Sequence, residues 1–420
     1  MVRRLLTSFL VLSAAFVCRA ARTADTRTAI FDPDFSTLQV FVDDDLLADP
    51  VITLDGSRRL TVEFDERASD VRYMRYALTH CNADWQPSSL IAIEYVDGFN
   101  EGTVDDYDFS RATTVQYVHY RISLPNDQVA ITHSGNYLLR VYDESDPDAT
   151  LLQARFRVTE QSVGIGAEVT SRTDVDYNRS HQQLSVSVDP GQLPVQDAFN
   201  DFKLVITQNN RPDNARILSH PLRLRGNVLI YEHMPELIFD GGNEYRRFET
   251  VSLRVPSMNI ESVAYQYPYY HAAVSADGVR AYDPYSYDST QGGRYVVRES
   301  DSADSSTEAD YVITYFTLFM PQLQGADIYV EGDLTNRRLD DTSRMRYNPD
   351  TEAYEKAILL KQGSYNYQYL AVPHGAATGL TATVEGNFYN TGNEYQIAVY
   401  RRLPSERADR LLGYTTITMQ

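Results

Sequence analysis

Residues 71–125 read VRYMRYALTHCNADWQPSSLIAIEYVDGFNEGTVDDYDFSRATTVQYVHYRISLP, and this stretch decides the fold. It opens on Val71, Tyr73, Arg75 and Ala77 alternating with Arg72, Met74, Tyr76 and Leu78, a strand with both faces partly covered. It closes on Val118, Tyr120, Ile122 and Leu124, a second alternating run stopped by Pro125. Roughly thirty-five residues lie between them, too many for a tight hairpin. A long ordered excursion from a compact sheet usually serves a surface or a partner.

Outward from that stretch the chain keeps the same period of two. Leu38, Val40 and Val42 alternate, then Leu60, Val62 and Phe64, then Tyr137 to Tyr142, then Ala154, Phe156 and Val158. Leu184, Val186 and Val188 follow, stopped by Pro190-Gly191, and Val251, Leu253 and Val255 read as a further strand. The ring-dense run Tyr265–His271 is broken by Pro268 and reads as an edge or a loop. From Tyr311 the run YVITYFTLFM is apolar on both faces, as in a central strand. Short strands at this spacing, with no helical periodicity beyond about two turns, predict an all-β chain of sandwiches.

At 420 residues the length suits roughly three domains. The expected organisation is three tandem immunoglobulin-like β-sandwiches after a signal peptide: residues 28–160, 162–298 and 311–420. Residues 299–310 (ESDSADSSTEAD) are acidic, serine-rich and without large apolar side chains, so they read as a linker or exposed loop.

Residues 1–20 carry the features of a secretory leader. Arg3 and Arg4 precede a 13-residue apolar core, Leu5 to Val17, and Cys18-Arg19-Ala20 offers small residues for cleavage. Lipidation at Cys18 is the rival reading, disfavoured by Phe16-Val17 before it. A secretory leader implies that the mature chain leaves the cytoplasm. Without Cys18, Cys81 has no intrachain partner, so stability rests on packing. The net charge of −20 falls to about −23 once the leader is removed. That charge repels nucleic acid and anionic headgroups alike.

The motifs of common chemistries are missing. The eight histidines show no metal-ligand spacing, and there is no nucleophile elbow and no phosphate-binding glycine loop. Gly164-x-Gly166 lacks a third glycine and a following helix. The acidic run 143–148 has no EF-hand spacing and reads as a polar turn. No catalysis, cofactor or metal is expected. The 31 tyrosines against one tryptophan suit half-exposed strand faces and contact surfaces better than a sugar cleft.

Several segments together resemble one family. HCNADWQPS (80–88), EYVDGFNEGTVDDYDFS (94–110), TTVQYVHYRISLPN (113–126) and SGNYLLRVYDE (134–144) resemble the type IX secretion system plug proteins of the Bacteroidota. QNNRPDNAR (208–216), GGNEYRRFET (241–250), YVEGDLTN (329–336), LLKQGSYNYQYL (359–370), EGNFYNTGNEYQIAVY (385–400) and RADRLLG (407–413) fit the same family in order. The resemblance implies a non-catalytic plug, a monomer within a larger complex, that occludes the periplasmic mouth of the system's outer-membrane barrel. Partner contact is then expected from the 85–109 excursion: Trp85, Tyr95, Phe99, Tyr107 and Phe109. Trp85 also has a reading as a core residue pinning that excursion.

The last 110 residues resemble, in their order of strands and turns, the early-set sandwich of glycogen-binding modules. Those modules stack sugars on tryptophan, and Arg337 stands at the corresponding place here. The alternative function is therefore a carbohydrate-binding sandwich, with Tyr365, Tyr367 and Tyr369 sharing one strand face as a stacking platform.

Overall fold

The computed structural model describes residues 25–419. The leader, its cleavage site and Cys18 lie outside the described residues. Within them the regular secondary structure is almost wholly strand, arranged as three two-layered sandwiches.

The first sandwich packs two antiparallel sheets face to face. One runs Phe35–Val42, Leu60–Glu66, Val118–Leu124 and Asp106–Phe109. The other is centred on Met74–Cys81, Gly135–Asp143 and Asp146–Thr159. Alternation sends Val62, Phe64 and Tyr120 from one sheet against Tyr76, Tyr137 and Phe156 from the other. Phe64 stacks on Tyr120 at 5.5 Å and Tyr137 on Phe156 at 5.3 Å between ring centroids. The outward side of the Leu60–Glu66 strand is buried too, at Thr61 and Asp65, because another unit lies on it.

The strand pairing corrects the expected boundaries of the other two units. Phe202–Gln208 pairs with Glu394–Arg401, which pairs in turn with Arg410–Thr418. The second core therefore joins Leu184, Phe202 and Leu229 to Tyr395, Ile397 and Leu412. The third core joins Phe248, Ile260 and Tyr295 to Phe316, Val330 and Tyr367. The third sandwich is thus inserted into the second, between the strands Ile238–Asp240 and Glu394–Arg401. A boundary read along the chain misses this, because long-range pairing leaves no local mark in composition.

The two chain crossings that this insertion requires run side by side and are pinned by amides. Asn393 donates to Gln182 at 3.0 Å and to the Gly241 carbonyl at 2.6 Å. Asn243 donates to the Glu385 carbonyl at 2.8 Å. These amides are buried, so each must find partners or cost stability.

Two local expectations also change. Val251, Leu253 and Val255 form no strand; they lie in a loop that Pro256 closes, with Val255 exposed. The acidic segment 299–310 is not a free linker. Ser305–Glu308 makes one helical turn, capped by Asp304 accepting from the Ser306 amide at 3.0 Å. Thr307 is fully buried, Arg111 donates its amide to the Thr307 carbonyl, and Tyr117 donates to the Ala309 carbonyl at 2.8 Å. Asp301 and Asp304 face solvent, but Asp310 is buried and accepts from the Thr114 amide and hydroxyl of the first sandwich at 2.8 Å and 2.7 Å.

Buried polar contacts cement the seams. Asp49 of the first unit accepts from Asn210, Tyr414 and Thr416 of the second and pairs with Arg294 of the third at 2.8 Å. Asp409 of the second accepts the Ala83 amide of the first at 3.0 Å. No helix among the described residues is long and apolar enough to cross a membrane.

Candidate functional site: the aromatic excursion and its surroundings

The excursion leaves the sheet at Cys81 and turns at once. The Asn82 amide donates to the Gln86 carbonyl and the Trp85 amide to the Asn82 carbonyl, closing a tight turn in which Trp85 has a φ of 65°. That backbone is unusual for a bulky side chain and is held by its surroundings. The indole is half-buried, with the Arg155 and Arg157 guanidiniums 4.2 Å and 5.1 Å from its ring centroid. Trp85 therefore stands neither in the sandwich core nor on the open tip of the excursion. Cys81 beside it is buried, and burial pushes its thiol up to about 12, which makes it a poor nucleophile.

Tyr95 departs from its expected role. A short turn at Ala92–Glu94 folds the chain back, and Tyr95 enters the core with its hydroxyl donating to the Leu78 carbonyl at 3.1 Å. It cannot face a partner. The tip is carried instead by Phe99, 83% exposed, and by Ile91 and Ile93, the latter 78% exposed. Tyr107 and Phe109 are exposed on the edge strand Asp106–Phe109 and pack edge to face at 5.9 Å. The two isoleucines were not singled out in the sequence. An apolar pair flanking a short polar-capped turn was the available signal.

The tyrosine platform is also corrected. Tyr365, Tyr367 and Tyr369 are buried in the third core. Tyr367 and Tyr369 donate to Asp277 at 2.6 Å and 2.8 Å, and Tyr365 donates to the Lys361 carbonyl. Their shared face exists, but the opposing sheet covers it, with Phe316 5.2 Å from Tyr367 between ring centroids, and Phe248 of the neighbouring strand stacks on Tyr365 at 5.1 Å. Arg337 is likewise buried, paired with Glu331 at 2.8 Å and Asp333 at 2.6 Å. No ring on that strand is free to stack on a sugar.

Exposed aromatics of the third sandwich lie elsewhere. Ile260–Gln266 and Tyr269–Val274 form a hairpin whose turn presents Tyr267, 87% exposed. Tyr265, Tyr315 and Phe319 are exposed on the same sheet, and Tyr282 stands out at 92% in the loop that follows. The acidic turn near 143–148 is held locally, Asp143 accepting from the Ser145 amide at 2.8 Å and from its hydroxyl. No group of three or more histidine, cysteine or acidic side chains among the described residues is placed to hold a metal ion.

Comparison with known proteins places this geometry in context. The family model described as "Type 9 secretion system plug protein 1st domain" matches residues 35–160, the first sandwich. No curated protein matches the chain. A crystal structure of a hypothetical protein from Parabacteroides merdae is 43% identical, with a TM-score of 0.93, over 94% of this chain and 100% of that one.

Proposed function

Because the chain belongs to the type IX secretion system plug protein family, we propose that it closes the periplasmic opening of that system's outer-membrane barrel. Its association with the secretion system follows from the family. The family is a structural component of secretion and not a known enzyme family.

The observation that carries the plug reading is the excursion on the family-matched sandwich, which presents Ile91, Ile93 and Phe99 to solvent. Large apolar side chains grouped on one protruding segment mark a contact surface. Acidic side chains lie around them, at Glu94, Asp97 and Glu101. An apolar centre with a charged rim suits a contact that forms and releases. The buried polar seams between sandwiches favour one fixed outer contour, which is what occlusion requires. The protein acts from the periplasmic side, as a single copy per barrel.

Two measurements test this. Affinity purification of the tagged barrel from cells should bring down this protein in a defined fraction of complexes. A strain lacking it should admit a large, normally excluded dye or antibiotic across the outer membrane. Absence from every purified barrel state, together with unchanged permeability, would refute the proposal.

A further inference from the structure

A cavity of about 750 Å³ opens where the three sandwiches meet. That volume lies within the roughly 300–1,000 Å³ typical of ligand sites. The first unit contributes Trp85, Arg155 and Arg157, the second Ala215 and Ile217, and the third Arg337 among others.

The arginines of this cavity are not equivalent. Arg294 pairs with Asp49 and Glu394, and Arg337 with Glu331 and Asp333. Arg27 pairs with Asp25. Arg155 and Arg157 have no carboxylate within ion-pair distance among the described residues. They sit two apart on one strand, so both project from the same face of the sheet, with Phe156 turned into the core between them. Arg155 donates to the Thr26 carbonyl at 2.6 Å and to its hydroxyl at 2.9 Å. The Arg157 Nε is buried with no hydrogen-bond partner. Burial, and then the like charge of Arg157, brings the Arg155 guanidinium down to about 9. Two adjacent cations without an ion-paired carboxylate, in a chain of net charge −20, are an arrangement that an anion stabilises.

The wall that the second unit contributes indicates the form of that anion. Arg216–Leu218 pairs with Phe202–Gln208 on one side and is the edge of its sheet. Its Ile217, 45% exposed, and the adjacent Ala215 both line the cavity. Val205 and Thr207 of the paired strand line it with them, so this wall is one face of the strand pair, on which the apolar side chains of an extended chain can pack.

From these features we propose that the cavity binds an extended acidic peptide segment. Its carboxylate sits on Arg155 and Arg157 beside Trp85, and its apolar side chains pack on Val205, Ala215 and Ile217. The site takes Trp85 from the base of the excursion but none of its exposed side chains Ile91, Ile93 and Phe99, so it stands or falls independently of docking to the barrel.

Trp85 is the sole tryptophan, so its emission reports on the site directly. The test titrates the full mature protein with a capped hexapeptide of alternating valine and glutamate. The same peptide with glutamine for glutamate, and sodium succinate, serve as the other probes. Calorimetry accompanies each titration. The acidic peptide should give a saturable emission change and bind at least tenfold more tightly than either other probe. R155Q and R157Q should each lose at least tenfold in affinity, with thermal melts confirming the fold. Added salt should weaken binding of the acidic peptide to the unmodified protein, a readout that needs no variant. The proposal is overturned by no saturable response in either method or by equal binding of the glutamine peptide. Succinate binding as tightly as the peptide would overturn it as well.

Discussion

Lys361 of the third sandwich donates its ammonium to Asp65 of the first at 2.6 Å, with both side chains fully shielded from water. Tyr311 donates to the same carboxylate oxygen at 2.6 Å, and His119 bonds the other at 2.7 Å. The ammonium also lies 4.1 Å from the centroid of the Tyr117 ring and donates to the Ser306 carbonyl at 2.5 Å. The Lys361 and Asp65 charges are thus paired and hydrogen-bonded, as burial requires, while the buried His119 Nε2 has no hydrogen-bond partner and faces the Glu63 carboxylate at 3.8 Å.

Breaking that pair from one end should be costly. K361M leaves Asp65 buried without its main counter-charge, and the expected loss is about 3–5 kcal/mol in urea denaturation. The control is R58A, which removes an exposed pair with Asp43 and should change stability by about 0–1 kcal/mol. Equal effects of the two substitutions would show that the seam contributes nothing particular.

The same cluster predicts a pH dependence with a definite sign. Burial opposes charge on His119, but the hydrogen bond to Asp65 and the Glu63 carboxylate at 3.8 Å outweigh it and hold its pKa up to about 9. A raised folded pKa stabilises fully below the unfolded value of about 6.5 and is lost as pH climbs through 9. Burial also opposes charge on Asp65, yet Lys361 and His119 hold its pKa below the ordinary value. That contribution is present above about pH 4 and disappears as pH falls through the lowered folded value. Thermal melts should therefore show declining stability between about pH 6.5 and 9, at most roughly 3 kcal/mol from this group. H119Q should flatten that alkaline limb and reduce, without abolishing, the acid limb, because Lys361 still holds Asp65.

The sugar-stacking reading and the core reading of the third-unit tyrosines separate on stability alone. Y367A empties a buried ring site beside Phe248 and Phe316 and removes a donor to Asp277, for an expected cost of about 3–5 kcal/mol. Y267A removes an exposed ring and should stay within about 0.5 kcal/mol. A small effect of Y367A, with sugar affinity lost, would restore the stacking reading.

What the sequence disclosed and what it withheld divide along physical lines. Alternation at Leu60–Phe64, Val118–Leu124 and Leu184–Val188 reads directly as strand, because the pleat imposes its period on neighbouring residues. The partner of Phe202–Gln208 lies nearly two hundred residues away in Glu394–Arg401, and no local pattern names it. Hence three sandwiches were legible while their nesting was not. Tyr95 and Tyr365 show the second gap. A tyrosine looks the same at a loop tip and in a core, until the hydroxyl's partner, here Leu78 or Lys361, is known. Val251 to Val255 shows a third, where alternation arises in a loop and Pro256 is the only local warning.

The docking surface gives the sharpest remaining prediction. Ile93 and Phe99 touch solvent over most of their surface, so replacing them with aspartate removes little packing. I93D and F99D should each leave unfolding within about 0.5 kcal/mol of the parent. If the excursion seats on the barrel, each change places a charge inside an apolar contact and leaves it unpaired. Recovery with the tagged barrel should then fall at least tenfold for the double variant, and outer-membrane permeability should rise toward the deletion strain. The same change at Tyr267 and Tyr282, on the third sandwich, should leave recovery unaltered. Loss of recovery from that second pair, with the excursion variant still bound, would move the contact to the third sandwich.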